Sequence, residues 1–385
     1  MNKPLIRFKG FKDEWKYVEL GEVLKERKIR KKISEETPLL AFAAGQGVID
    51  KSERKTNNRD FLTNDFDNKI YLLTKYDDIV YNPSNLKYGA IDRNKFGTGL
   101  ISPIYVTLTT SENPKFIEQV VKSDDFKYEA LKFEEGTVVK RQSVSTENLL
   151  KIKVGIPTKE EQDIIGDFLE NIDNKIALLN KKIELLENIK IQQIEDLYEN
   201  CDGDYIEIKN LIDEYNEKTT KNNEYTVLSS TNKGIFIQEE YFSKKTASVD
   251  TTGYKIVPKN YITYRSMSDT GSFTFNIQNM IDKGIVSPAY PVFNVKDKIN
   301  KIYFLNYLNY SFEFKKQILS SVEGGTRFAL SITKLGKFKI KIPDYNVQEK
   351  IANFIIIMDK KIELEKELVN YMILLKKGFM QNMFV

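Results

Sequence analysis

The chain repeats itself, and this constrains its fold more than any local pattern does. Gly99-Leu-Ile-Ser-Pro-Ile-Tyr105 in the first half is matched by Gly284-Ile-Val-Ser-Pro-Ala-Tyr290 in the second, 185 positions on, with Gly, Ser, Pro and Tyr in register. Glu135-Gly136-Thr137, followed by Arg141, is matched by Gly324-Gly325-Thr326, followed by Arg327. Ile152-Lys-Val-Gly-Ile-Pro157 with Gln162 is matched by Lys339-Ile-Lys-Ile-Pro343 with Gln348, each glutamine five residues after its proline. The openings agree too: Val18, Leu20 and Leu24 correspond to Ile206, Ile208 and Ile212. Any one match is within reach of chance. Four in the same order, at offsets differing by a few residues, indicate a duplicated unit. Each copy must then fold around its own core, as a globular part of about 150 residues followed by a helix.

The helices are the clearest elements. After Pro157 come Thr158 and Glu161, a capping pattern, and Gly166 alone interrupts the run to Asn200. Ile165, Leu169, Ile172, Ile176, Leu179, Ile183 and Leu186 are spaced 4,3,4,3, which is a coiled-coil seam. This predicts one helix over 159–200, roughly 60 Å long at 1.5 Å per residue. The second copy, 344–385, places Ile351, Ile355, Met358, Ile362, Val369 and Met372 on the same seam, continued by Phe379 and Met383. Lys190 and Lys376 interrupt the two seams at matching positions, and Glu365 interrupts the second. Each seam side chain left exposed forgoes about 1.5–3 kcal/mol, so the seams must be covered. Strict spacing over three heptads favours helix-on-helix pairing, and a helix packed on its own module is the alternative. Phe168, Tyr198, Phe354 and Tyr371 flank the seams as expected exposed docking residues.

Composition removes most catalytic chemistries. The 385 residues include no histidine and a single cysteine, Cys201. That excludes Ser-His-Asp and Cys-His nucleophile systems, His-ligated zinc, Cys-rich metal sites and an intramolecular disulfide framework. A reducing cytosol is the expected compartment. The N-terminal stretch mixes charge with isolated apolar residues, and no run of about 20 uncharged apolar residues occurs, so neither a signal peptide nor a membrane span is expected. There is no Gly-x-x-x-x-Gly-Lys-Ser/Thr, hence no expected ATP site. Tyr81-Asn82-Pro83-Ser84 lacks the second proline and the aromatic of the Asn-Pro-Pro-aromatic loop of methyltransferases that act on amino groups. Pro343-Asp344 followed by Glu349-Lys350 lacks the acid-x-Lys spacing of a nuclease, and the other copy has Thr158 in place of Asp344. Asp77-Asp78 and Glu134-Glu135 are expected to be solvated surface.

The globular parts read as mixed α and β. Ile79–Tyr81, Ile104–Leu108, Tyr261–Tyr264 and Ser272–Ile277 are rich in β-branched and aromatic residues, and Lys115–Lys122 and Ile302–Leu319 have helical periodicity. The net charge is only +4, from 59 basic and 55 acidic residues, but it is unevenly placed. Residues 1–158 carry 28 basic against 23 acidic side chains and 201–343 carry 20 against 15, whereas 159–200 carry 5 against 11 and 344–385 carry 6 of each. Basic modules on neutral or acidic helices fit a local polyanion-binding face.

Two variable modules, each closed by Gly-Thr, a basic residue, a short strand ending Ile-Pro and a helix opening x-x-x-x-Gln-x-x-Ile, resemble the specificity subunit of type I restriction-modification enzymes. The resemblance spans essentially the whole chain. It rests on Ile156-Pro157 to Gln162-Asp-Ile-Ile165, on Ile342-Pro343 to Gln348-Glu-Lys-Ile351, and on Trp15 to Leu24 as the module opening. The second helix departs from the pattern, with Asp344-Tyr-Asn in place of a proline-rich entry.

The resemblance implies an α+β protein in which two pseudo-symmetric recognition domains, 1–158 and 201–343, are separated by helices 159–200 and 344–385 forming an antiparallel coiled-coil spacer. It implies a non-catalytic subunit that reads a split target in double-stranded DNA. Two methyltransferase subunits would dock on it and modify adenine, and restriction subunits would add ATP-driven cleavage. S-adenosylmethionine, ATP and magnesium would belong to those partners, with no cofactor on this chain. A rigid spacer would hold the half-sites about 34–36 Å apart, one helical turn of B-DNA. Lysine and arginine would hold phosphates, and a few Arg, Lys, Asn or Gln side chains would read base edges. The expected DNA contacts are Lys140 and Arg141 in the first glycine loop, Arg327 in the second, then Lys87, Tyr88 and Arg93, and Arg265 in the second module. The competing possibilities are the recognition subunit of a related two-subunit restriction-methylation enzyme, a coiled-coil scaffold that binds no DNA, and a nuclease or methyltransferase in its own right.

Overall fold

A computed structural model describes residues 3–53, 69–135, 142–241, 250–321 and 328–384. The chain divides into two compact units, Met1–Asn180 with Glu367–Val385, and Lys181–Lys366. Each unit therefore contains half of each of the two long helices, Lys159–Asn200 and Tyr345–Met383.

In unit 1 a four-stranded sheet runs in the order Leu24–Glu26, Val106–Thr110, Ile79–Tyr81, Ile91–Arg93, all antiparallel. A second sheet joins Arg30–Lys31, Tyr71–Thr74 and Gly99–Ile101. Leu40–Ala43 and Gly47–Asp50 form a hairpin, and Lys16–Glu19 pairs with Lys153–Ile156, so the start of the module lies beside its closing Ile-Pro strand. Helix Pro114–Lys122 is capped by Asn113, whose side chain accepts from the Lys115 and Phe116 amides, and helix Asp124–Leu131 is capped by Ser123. The core gathers Trp15, Leu20, Leu24, Ile79, Tyr81, Phe116, Ile117 and Leu149.

Unit 2 repeats this plan. Its sheet order Ile212–Glu214, Val292–Val295, Ile262–Tyr264, Phe275–Ile277 is the counterpart of the first sheet, and Asp204–Glu207 pairs with Lys339–Ile342 as the opening strand did before. Asn300 and Ser311 cap helices Lys301–Tyr310 and Phe312–Ser320 as Asn113 and Ser123 do in unit 1. The helix expected over 302–319 is thus two, broken where the Ser311 hydroxyl takes the Phe314 amide. The strand expected over 104–108 is shifted to Val106–Thr110, and that over 272–277 is shortened to Phe275–Ile277. The Tyr105 amide first closes a turn on the Ser102 carbonyl, and the Phe275 amide is held by Asn309.

The repeated glycine has a steric cause. A Cβ on Gly99 would fall about 2.5 Å from Leu40 Cδ1, and one on Gly284 would fall well inside contact with Leu228. In both units the hairpin strand presses a leucine against this backbone, and only glycine leaves room.

The repeated glutamine joins module to helix. Gln162, fully buried, donates from Nε2 to the Pro157 carbonyl at 3.0 Å and accepts the Asn113 amide at 3.0 Å. Gln348 does the same with the Pro343 carbonyl and the Asn300 amide, both at 2.9 Å. With its two polar atoms each one satisfies two backbone groups, the carbonyl after the closing strand and the N-cap amide of a second helix, that burial would otherwise leave without partners. Thr158 accepts the Glu161 amide, yet Glu161 does not complete a capping box; its buried carboxylate takes two 2.7 Å bonds from Arg7. The second helix starts at Tyr345, with the Asp344 carbonyl accepting from Val347 and Gln348.

The seams are covered from two directions. Ile165, Leu169 and Ile172 enter the unit 1 core, and Ile351 and Ile355 enter that of unit 2, so at these ends the helix does pack on its own module. Farther along, helix meets helix. In unit 1, Phe168 lies edge-on to Phe379 at 4.9 Å and Lys376 donates to both oxygens of Asp173 at 2.7 Å, which sets the two segments antiparallel. In unit 2, Lys182 bonds Glu365, Lys366 bonds Glu187 and Lys190 bonds Asp359, again antiparallel. Leu179, Ile183, Leu186, Ile362 and Val369 are buried, while Ile176, Met358 and Met372 are partly so. The two seam lysines thus have aspartate partners at matching positions, and each pair fixes a register.

Candidate nucleic-acid interface

One open cleft in each unit is built from elements equivalent to those of the other. In unit 1 a cleft of about 430 Å³ lies between the hairpin and the turn after strand Ile79–Tyr81, lined by Phe42, Gln46, Asn82, Asn85, Tyr88 and Tyr105 among others. In unit 2 the cleft is about 700 Å³ and is lined by Ser229, Ser230, Thr231, Asn232, Gln238, Arg265, Thr270 and Tyr290 among others. Tyr105 and Tyr290, the last residues of the repeated Ser-Pro-x-Tyr, occupy the same place in both. Phe42 packs against Tyr105 at 5.4 Å.

Hairpin geometry presents polar side chains at the mouth of each cleft. In unit 1 the turn takes Gly45 and Gly47 at φ +79° and +75°, leaving Gln46 exposed between them. In unit 2 Gly234 sits at φ +123°, the Thr231 hydroxyl bridges the Gly234 carbonyl and the Lys233 amide, and Asn232 and Lys233 are exposed. A residue of the neighbouring sheet lies against each hairpin at the same place. In unit 2 Asn276 Nδ2 donates to Ser230 Oγ and the Thr231 carbonyl at 2.8 and 2.9 Å. In unit 1 the equivalent residue is Asp92, whose side chain lies against Gly47 and is itself paired with Lys122 at 3.0 Å.

The sequence-expected contacts divide. Tyr88 is 70% exposed in the first cleft, and Arg265 is exposed in the second. Lys87 is partly buried, pairs with Glu134 at 3.3 Å and lies 5.7 Å over the Tyr88 ring, so it supports the cleft wall. Lys140, Arg141 and Arg327 lie outside the described residues.

Arg93 is a correction. Its guanidinium is fully buried and each of its three nitrogens is bonded, to Glu118, Asp77 and Glu170, so it is closed off from a ligand. Lys95 and Lys122 also reach Glu118, and Lys115 reaches Glu170. Burial alone would raise the Glu118 carboxyl, but Lys122, Lys95 and Arg93 outweigh it and draw it down to about 2. The network ties sheet, capped helix and long helix together within unit 1, which is a structural role. Asp78 is a second correction: it is buried rather than solvated, and takes two bonds from Arg27 at 2.8 and 2.9 Å.

Of the flanking aromatics, Tyr198 is buried with its hydroxyl on the Tyr303 carbonyl, and Phe168 and Phe354 pack into the cores. Tyr371 alone of the four is exposed. The long helices nevertheless carry unpaired apolar surface elsewhere, with Leu178, Leu368, Tyr371 and Leu374 exposed in unit 1 and Leu185, Ile357 and Leu364 in unit 2.

Sequence reasoning missed the hairpin tips, the place of Tyr105 and Tyr290 in the clefts, and one basic run. Gln46 and Asn232 carry no sequence signal beyond the turn glycines beside them. The run Lys25-Glu-Arg-Lys-Ile-Arg-Lys-Lys32 was legible as a basic octamer. Within it Arg27 is used internally, while Lys28, Arg30 and Lys31 are exposed.

Among the described residues no cluster of His, Cys, Asp and Glu could hold a metal, and no helix is long and apolar enough to cross a membrane. The chain matches the model for the type I restriction modification DNA specificity domain twice, over residues 12–188 and 193–371. Its fold is similar to that of the crystal structure of a type I restriction-modification S subunit from M. genitalium, with TM-score 0.54 and 14% identity over 100% of this chain and 99% of that one. It is also similar to a chain from a structure of complex assembly and conformational transition in the type I restriction-modification system, with TM-score 0.56 and 12% identity over 95% and 96% of the two chains. With two copies of this domain filling its two structural units, the chain belongs to the type I restriction-modification DNA specificity family and serves as a DNA-recognition subunit.

Proposed function

We propose that this chain reads an interrupted DNA sequence with two modules, 1–158 reading one half and 201–343 the other, while helices 159–200 and 344–385 fix the spacing and carry the partner subunits. The observation that carries this is the recurrence of one cleft in both units, with the same tyrosine, hairpin and sheet positions but different polar residues. A conserved frame with exchanged contact residues is what two readers of two different half-sites require.

In the first module Gln46, Asn85 and Tyr88 face the base edges, and Lys28, Arg30 and Lys31 hold phosphates. In the second, Arg265, Asn232 and Gln238 face the bases and Lys233 a phosphate. Lys140, Arg141 and Arg327 complete the contact set from the glycine loops. Amide side chains match the N6 and N7 groups of adenine, and a guanidinium matches O6 and N7 of guanine.

The exposed apolar side chains on the long helices accept the partners: two methyltransferase subunits, which bind S-adenosylmethionine and modify adenine at N6, and restriction subunits that use ATP and magnesium to cleave. The complex works in the cytoplasm. Co-purification of the chain from its own cells, with sequencing of the DNA it marks, tests this. Two methyltransferase copies and adenine methylation at a split motif are expected. Recovery of the chain without a methyltransferase and with no modified DNA would support a scaffold instead.

A further inference from the structure

Arg265 follows strand Ile262–Tyr264. At the equivalent place in unit 1 stands Asn82, which is buried and spends its side chain accepting the Ser84 amide to start a short 3-10 turn. Unit 2 has no such turn there; Met267–Ser268 instead pairs with Phe328–Ala329. The fold therefore makes no demand on the Arg265 side chain.

Its backbone is nonetheless held on both sides. The Tyr264 hydroxyl donates to the Leu330 carbonyl at 2.9 Å, the Ser266 carbonyl accepts the Leu330 amide at 2.8 Å, and Ser266 Oγ donates to the Ala289 carbonyl. The side chain is exposed, has no carboxylate within ion-pair distance among the described residues, and lines the cleft with Ser230, Asn232, Thr270 and Tyr290. Its charge acts on the neighbouring Tyr290 hydroxyl. Module 201–343 has only one other arginine, against eighteen lysines. An unpaired guanidinium carried on a firmly held backbone, in a recess of hydroxyls and amides, differs from the exposed lysines that suit phosphate contacts. Its planar fork fits two acceptors at once.

We infer that Arg265 reads a guanine in the half-site of the second module, donating two parallel hydrogen bonds to O6 and N7 in the major groove. This rests on the DNA-reading role proposed above and adds which base, which module and which side chain.

The test uses the full chain in complex with its methyltransferase partner. The marked motif is determined first, and binding is then measured for wild type, Arg265→Ala and Arg265→Lys on the motif DNA and on DNA with 7-deazaguanine at each guanine in turn. The wild type should lose about tenfold or more at one guanine of the second half-site, and Arg265→Ala should lose nothing further there. Arg265→Lys should keep overall affinity but relax the base at that position. The half-site of the first module is the internal control for folding, and should be read unchanged. An Arg265→Ala complex that keeps full base preference throughout would overturn the assignment. So would equal weakening on all sequences with a shallower salt dependence, which marks a phosphate contact. Failure of the wild-type complex to mark or prefer any sequence would instead overturn the DNA-reading role itself.

Discussion

The two units build one frame from different chemistry. In unit 1 the contact between sheet, capped helix and long helix is ionic: buried Arg93 holds Glu118, Asp77 and Glu170, and Lys122 holds Asp92. In unit 2 the residues at the places of Arg93 and Glu118 are Ile277 and Leu305, both partly buried against the apolar core. Next to Ile277, Gln278 stands at the place of Asn94 and closes a neutral loop on the Val257 and Ile281 carbonyls, and next to Leu305, Phe304 packs edge-on to Phe293 at 6.4 Å. Tyr198, Tyr303 and Tyr307 stack beside them where the long helix arrives. A duplicated fold keeps backbone positions, caps and close approaches, and leaves the fill between them free to drift.

The largest expected effect comes from breaking the ionic fill on one side. Arg93→Ala takes the one buried cation from Glu118, Asp77 and Glu170, leaving Glu118 to Lys95 and Lys122, and should cost about 3–5 kcal/mol in unit 1. Trp15, the only tryptophan and a member of the unit 1 core, reports this unit selectively by fluorescence during denaturant unfolding. Importing the unit 2 pair, Arg93→Ile with Glu118→Leu, should recover most of the loss, because the buried cation and its buried carboxylate are then replaced together by apolar groups. If the double variant is no better than Arg93→Ala, the units are not interchangeable at this contact. In unit 2, Gln278→Ala should cost only about 1–3 kcal/mol.

Acid should separate the units next. Glu118 titrates lower in the folded chain than unfolded, at about 2 against an ordinary 4.5, and Glu170 is also lowered. Their contribution is present above the unfolded value and is lost as pH falls through that window. Asp92 shifts the other way through burial and offsets part of the loss. Between pH 5 and 3 the Trp15 transition should therefore move to lower denaturant more steeply than hydrogen-exchange protection of strand Ile262–Tyr264 declines. Parallel decline would contradict the ionic assignment.

The smallest effects are expected in the helix pair. Lys376→Met should cost about 1 kcal/mol or less, and Lys190→Met less still, because Asp359 is 56% exposed where Asp173 is 26%. Thermal unfolding of the single variants checks this order.

The repeat, the helices and the module ends were legible in the sequence because they follow from periodicity and from motifs with a steric or hydrogen-bonding cause. Gly99 and Gly284 are glycine because a leucine fills the space of their Cβ, and Gln162 and Gln348 recur because each satisfies two backbone groups at a junction. The clefts were much less legible. Arg93 and Arg265 look alike as arginines in a polar stretch, yet one closes a buried network and the other has no structural task. That difference lies in long-range pairing: Glu118 and Glu170 are 25 and 77 residues away from Arg93. Gln46 became visible only once the hairpin and the Tyr105 turn were brought to the same cleft.

The most direct test of the central claim is the methylated motif in cells that express this chain with its methyltransferase, compared among wild type, Gln46→Ala and Arg265→Ala. Two specified blocks separated by unspecified bases are expected, with Gln46→Ala relaxing one block and Arg265→Ala the other. A single contiguous motif, or relaxation of the same block by both substitutions, would contradict a chain that reads DNA with two separate modules.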